Sequence, residues 1–375
     1  MKKYLSCIIL IALCVVCVTI FYVNANEIEE PAINSSVTLS SVQTGGNVDD
    51  TPPKISIEKS GTFHSEYLSS VNLRIEWSLY KLENEPTLYV SAELYLDTPE
   101  QITQGTVGYI SVGGDKREFT TQTMIGTCNL LTTYSTALTV KEGDVLYFNA
   151  YAAVPSTTAS GEALSDVSAH GAVTVREEDI PSSHTLGLSL ISKYPELPSG
   201  EEITSLCMVL NYLKYKVDKS ELCDLYLDKG PAHYTDIFVA NAGNPRDTYN
   251  SYGCMPPVIV NAANKFVSAN GGNHYAKDIS GYSVDELYYQ VAKGNPIIVW
   301  ACEDFDSTPS ISRTLIIDGK RVYLKSNVNT LVLIGYDSEK NTVTLANPSG
   351  NVFDLDMDVF ERSYLLTGSY AVLVN

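Results

Sequence analysis

Basic residues are scarce in this chain. Lys and Arg number 25 against 44 Asp and Glu, a formal net charge of −19 over 375 residues. A nucleic-acid partner needs basic patches to displace counterions from phosphates, and no run of Lys and Arg supplies one. Also missing are CxxC, HExxH, P-loop, GxGxxG and calcium-loop patterns, so the sequence points to no metal or other cofactor. Cysteines are present but lack pairing. Three of the eight, Cys7, Cys14 and Cys17, fall in the N-terminal apolar stretch. The remainder, Cys128, Cys207, Cys223, Cys254 and Cys302, are odd in number with no paired spacing. That pattern builds neither a disulfide framework nor a zinc site, although Cys207 and Cys223 are near enough in sequence to bridge.

Hydrophobic residues are 44% and charged residues 18%, the composition of a globular protein. The length allows two domains of ordinary size. Lys2 and Lys3 precede an apolar run from Leu5 to Tyr22 and a Val23-Asn24-Ala25 triplet, which reads as an export signal over residues 1–25. The run is also long enough to span a bilayer, so an uncleaved N-terminal anchor is the one route to a membrane. Residues 26–53 are rich in Ser, Thr, Gly, Pro and acids without a sustained period, and read as a flexible linker.

Residues 54–176 alternate apolar with polar positions in NLRIEWSLYKL, TLYVSAELYLD, GTVGYISVGG, REFTTQTMI, STALTVK, DVLYFNAYAAV and GAVTV. Turn residues divide many of them, and about seven such strands predict an all-β antiparallel sandwich. Its tyrosines suit either a carbohydrate-binding face or plain strand propensity. REEDIP breaks the pattern, and residues 177–375 turn α+β. LGLSLIS reads as a strand; SGEEITSLCMVLNYL, DKSELCDLYL, PPVIVNAANKFVSAN and SVDELYYQVAKG read as helices. NPIIVWAC, RTLIIDG, KRVYLKS, NTLVLIGYD, NTVTLANP and YAVLV read as strands.

Five stretches of this second half carry a resemblance: SLISKYPELPSGEEITSLCMVLNYLKYKVDKSEL, NSYGCMPPVIVNAANKF, LYYQVAKGNPIIVWA, NTLVLIGYDSEKNTVTLANPSG and VFERSYLLTGSYAVLV. In order and spacing they resemble the papain-like cysteine peptidases of the bacteriocin-leader-peptidase group, a family-thirty-nine-like set, over residues 186–375. The resemblance implies a papain-like fold and a thiolate at a helix start, where the dipole lowers its pKa. A histidine base, an orienting acid and an oxyanion Gln would complete it. By their surrounding motifs these roles map onto Glu201 for the nucleophile, Asn329 for the histidine, Asn347 for the acid and Lys193 for the Gln. All four have changed. An amide can still orient a ring, and Lys193 can still donate a hydrogen bond. A carboxylate at the thiol position and an amide at the base position leave no peptidase mechanism.

Glu202 stands three residues after Ser199 and fits a capping box. Cys207 falls on the apolar stripe of the same helix, which suits a core thiol. Cys254 has His233 and His274 as conceivable partners. The expectation is a secreted or surface-tethered bacterial pseudopeptidase that binds a peptide, a cell-wall fragment or a surface protein through Lys193, Glu201, Asn329 and Asn347. The alternative is a hydrolase of another class, with Glu201 as acid or base and Glu202, Asp304 or Asp306 as its second carboxylate.

Overall fold

A computed structural model describes residues 55–65, 71–102, 104–122, 126–154, 166–176, 180–317 and 320–375. The export signal and the linker lie outside the described residues. Residues from Pro53 onward form one compact unit.

The first half of that unit holds eight strands: β1 (Ile55–His64), β2 (Asn72–Leu82), β3 (Thr87–Asp97), β4 (Val107–Val112), β5 (Asp115–Thr120), β6 (Cys128–Thr139), β7 (Val145–Ala153) and β8 (Val167–Thr174). They pair into two four-stranded antiparallel sheets, β1-β2-β3-β6 and β5-β4-β7-β8. Side chains on a strand alternate between faces, and the alternation in sequence is the alternation in burial. Leu73, Ile75, Trp77 and Leu79 of β2 are buried with Ile110, Val112, Leu146 and Phe148 of the other sheet in one apolar cluster. At its centre Phe63, Trp77 and Phe148 stand with ring centroids 5.4–5.6 Å apart. Gly171 makes room for this packing, because a Cβ there would lie 2.2 Å from the Phe63 ring. Segments β2 and β3 are the strands read from sequence; β1 was missing from that reading. STALTVK turned out to be the far half of a longer strand, β6.

The second half is built on a larger antiparallel sheet. It comprises β9 (Ser183–Thr185), β12 (Ala276–Asp278), β13 (Ile297–Cys302), β16 (Val328–Asp337), β17 (Thr342–Asn347), β18 (Asn351–Asp356) and β19 (Ala371–Val374). The order is β12-β19-β13-β16-β17-β18, with β9 also on β16. Two further strand pairs stand apart, β10 (Lys229–Gly230) with β11 (Asn241–Ala242), and the hairpin β14 (Ser310–Ile317) with β15 (Lys320–Ser326). Helix α1 (Glu201–Tyr212) packs on β13 and β16, and Ser205 Oγ donates to Thr330 O at 3.3 Å. Its residues from Ile203 to Leu210 are all buried. Helices α2 (Pro256–Ala269), α3 (Val284–Ala292) and α4 (Met357–Thr367) complete the half.

Three local expectations need correction. LGLSLIS is no strand; pairing stops at Thr185, and only Leu186 N–H continues to Ile334 O at 2.7 Å. DKSELCDLYL holds a three-residue helical turn, Lys219–Glu221, that widens into a π-turn, Leu222–Tyr226. Helix α4 was not foreseen. Its signals were present in the sequence: Asp356 accepts from the N–H of Asp358 and Val359, and Gly368 closes the helix at φ +109°.

The two halves meet through Ala172 N–H, which donates to Gly281 O at 3.1 Å. Arg176 Nη1 also meets Glu286 Oε1 at 2.7 Å, with both side chains under 10% exposed.

Candidate functional site

Helix α1 begins where the chain turns at Pro198-Ser199-Gly200. Gly200 is the N-cap and makes no side-chain cap. Ser199 N–H donates to Pro245 O at 3.0 Å, so the turn is held by the 243–254 segment and not by a capping box. The first free N–H groups of α1 therefore face Glu201 and Glu202, where the dipole favours negative charge by about 0.3–1 kcal/mol.

Lys193 and Glu201 are joined. Lys193 Nζ donates to Glu201 Oε1 in an ion pair. The Lys193 side chain is buried, and Glu201 keeps 25% of its surface. Burial pulls the lysine pKa down, but Glu201 and then Tyr194 outweigh it, so the ammonium is held above its ordinary value. The start of α1 thus holds a carboxylate and an ammonium that neutralise each other.

Asn347 is brought close by the main chain: Lys193 N–H donates to Pro348 O at 2.7 Å. Asn329 stands at the same end of the sheet. The last registered pair between β16 and β17 is Val332 with Ala346, so Asn347 follows opposite Leu331, two residues from Asn329. Side chains at i and i+2 of a strand share a face. Neither amide bonds to the ion pair among the described residues. Asn329 Oδ1 accepts from Thr330 N–H at 2.8 Å, and Asn347 Oδ1 from Ser349 N–H at 2.8 Å. Each oxygen accepts one hydrogen bond, and neither Nδ2 donates one among the described residues.

Glu202 is the feature that sequence reasoning explained wrongly. Its carboxylate reaches across to the opposite wall, where Oε1 accepts from Cys254 N–H at 3.2 Å. Gly253 sits against it at φ +73°, and a Cβ there would lie 2.1 Å from Oε1. Burial and the neighbouring Glu201 charge push its pKa up to about 8, so it carries a proton at neutral pH. Two adjacent acids at a helix start were the only sequence signal for this. Cys254 O in turn accepts from Trp300 Nε1 at 3.2 Å, which ties α1, the 251–255 loop and β13 together.

Of the described thiols, Cys207, Cys223, Cys254 and Cys302 are buried and Cys128 is exposed. Cys207 is buried, its Sγ donates to Val217 O at 3.4 Å, and burial lifts its pKa to about 12. Cys254 is raised as well, by burial first and then by Glu202. Neither histidine serves it: His233 Nδ1 lies 3.2 Å from Arg313 Nη1, and His274 Nδ1 lies 2.8 Å from Tyr215 Oη. All five described cysteines are free, which removes the Cys207–Cys223 bridge. Asp304 accepts from Ser307 and Asp306 pairs with Arg362, both on the surface. Glu202, turned to Cys254 N–H, is engaged elsewhere than on a bond beside Glu201.

Residues 186–372 match the model of the Peptidase_C39 like family. Among curated proteins, the Uncharacterized protein YvpB of Bacillus subtilis (strain 168) is 26% identical over 227 residues, 59% of this chain and 88% of that protein. A crystal structure from Bacillus anthracis assigned as a C39-like peptidase is 26% identical, with a TM-score of 0.45, and covers 52% of this chain and 97% of its own. Xylellain, a cysteine protease from Xylella fastidiosa, is 11% identical with a TM-score of 0.28 over 52% of this chain and 87% of its own. Residues 186–372 thus form a domain similar to the C39-like peptidases.

Proposed function

We propose that this is a secreted or surface-tethered bacterial pseudopeptidase. Its division at residues 176/177 separates a β-sandwich, made by the two four-stranded sheets, from a C39-like domain that binds a ligand and does not cleave it. Its ligand is a peptide, a cell-wall fragment or a surface protein. The observation that carries the reading is the Lys193–Glu201 ion pair at the start of α1. An acyl-transfer site needs a nucleophile at the helix start and a base to serve it; by its surrounding motif the base position maps onto an amide, Asn329. The spare Nδ2 donors of Asn329 and Asn347 suit peptide carbonyls.

Peptide-library cleavage by the full chain, with and without a thiol alkylator, tests the loss of chemistry. No alkylator-sensitive cleavage is expected, because every thiol near the groove is buried. Cleavage abolished by alkylation refutes the reading.

A further inference from the structure

A cavity of about 310 Å³ lies in the seam between the two halves. Strand β1 from Glu58 to Phe63 forms one wall, with Trp77 of β2 and Val173 of β8 behind it. The start of α3, from Ser283 to Glu286, and Glu361 of α4 form the other. The volume is at the lower end of small-molecule sites. None of the residues at the start of α1 lines it, so it stands apart from the pseudopeptidase reading.

Two of its lining side chains carry buried polar atoms that the protein leaves unpaired. Trp77 is 7% exposed, and its Nε1 donates no hydrogen bond among the described residues. Glu286 is 1% exposed; Arg176 Nη1 at 2.7 Å and Lys59 Nζ at 3.7 Å gather on Oε1, while Oε2 accepts nothing. Buried polar atoms are nearly always paired, because leaving one unmade is costly. Gly61 keeps the indole edge uncovered: it lines the cavity, and a Cβ there would lie 2.8 Å from Cζ2 and 3.3 Å from Nε1 of Trp77. The end of α3 adds donors. Ser283 is its N-cap and makes no side-chain cap. The first helix N–H to bond is that of Glu286, on Ser283 O at 3.0 Å, which leaves those of Val284 and Asp285 open.

The charges decide the class of occupant. Lys59, which also donates to Thr174 O at 3.1 Å, opposes a cation, as do the unpaired N–H groups. Glu286 and the exposed carboxylates of Asp285 and Glu361 oppose an anion. An unpaired donor and an unpaired acceptor on one cavity call for a neutral group that both accepts and donates, which a hydroxyl does. The rings of Phe63 and Trp77, stacked with centroids 5.5 Å apart, supply an apolar wall for the C–H face of a ring.

We propose that the seam cavity binds a single neutral sugar ring, whose hydroxyls accept from Trp77 Nε1 and donate to Glu286 Oε2.

The test is isothermal titration calorimetry of the full chain with four probes on the same ring: glucose, N-acetylglucosamine, glucosamine and glucuronate. The two neutral sugars should bind saturably, and the ammonium and carboxylate sugars at least about tenfold more weakly, the worth of one charged contact. Trp77→Phe removes the indole N–H and should weaken the neutral sugars by about two- to tenfold, the worth of one neutral hydrogen bond. If that variant fails to fold, Ser283→Phe serves in its place. The half-buried Ser283 makes no cap bond, and a phenyl ring there should fill the cavity from its rim and abolish binding. Binding of neither neutral sugar, as in a seam that holds water only, overturns the proposal. A charged sugar bound as tightly as glucose overturns it too, and so does affinity unchanged in the folded variant.

Discussion

Glu202 makes the stability of this domain depend on pH in a defined direction. Its pKa is raised from 4.5 to about 8 by burial first and the Glu201 charge second. Between those values the folded state holds a proton that the unfolded state has released. Stability is therefore fully present below about pH 4.5 and falls as pH rises, until the folded group itself ionises near 8. Each tenfold of proton affinity is worth about 1.36 kcal/mol, so the whole interval corresponds to roughly 5 kcal/mol and the part up to pH 7 to roughly 3 kcal/mol. Replacing Glu202 by Gln keeps an oxygen to accept from Cys254 N–H and removes the ionisation. The two proteins should coincide below about pH 4 and diverge above it, with the variant more stable by about 3 kcal/mol at pH 7. Urea unfolding of both at several values from pH 5 to 9 measures this. Histidines and other acids titrate in both proteins and cancel in the difference. A difference that stays flat across that range refutes the reasoning.

Two further outcomes follow from the same cluster. Glu201→Ala leaves the buried Lys193 ammonium unpaired and should destabilise by about 2–4 kcal/mol, whereas Lys193→Met with Glu201→Gln should lie within about 1–2 kcal/mol of wild type; chemical denaturation distinguishes the two. Gly253→Ala forces a side chain into a positive-φ position and against Glu202 Oε1, and should lower stability by about 1–3 kcal/mol in thermal melts.

Much of the fold was legible because it rests on period. The alternation in NLRIEWSLYKL and TLYVSAELYLD was the burial pattern of β2 and β3, and the apolar stripe of α1 marked Cys207 as core. Errors came where pairing or capping, not period, decides. LGLSLIS looks like a strand but has no ladder partner past Thr185. The 219–226 segment looks like a helix but loosens into a π-turn, and α4 hid behind a modest stripe between an Asp cap and a glycine stop.

At the site, the sequence by itself determined which residues stand in the motifs that carry the resemblance: Lys193, Glu201, Asn329 and Asn347. Local spacing suffices for that, since each sits in a motif its neighbours define. What the charges do was decided only by tertiary structure. Ser199 and Glu202 carry a capping pattern, yet Ser199 N–H goes to Pro245 and Glu202 crosses to Cys254, more than fifty positions along the chain. A hydrogen bond to a distant wall leaves no local periodicity, and a raised carboxyl pKa arises from burial that only the assembled loop provides.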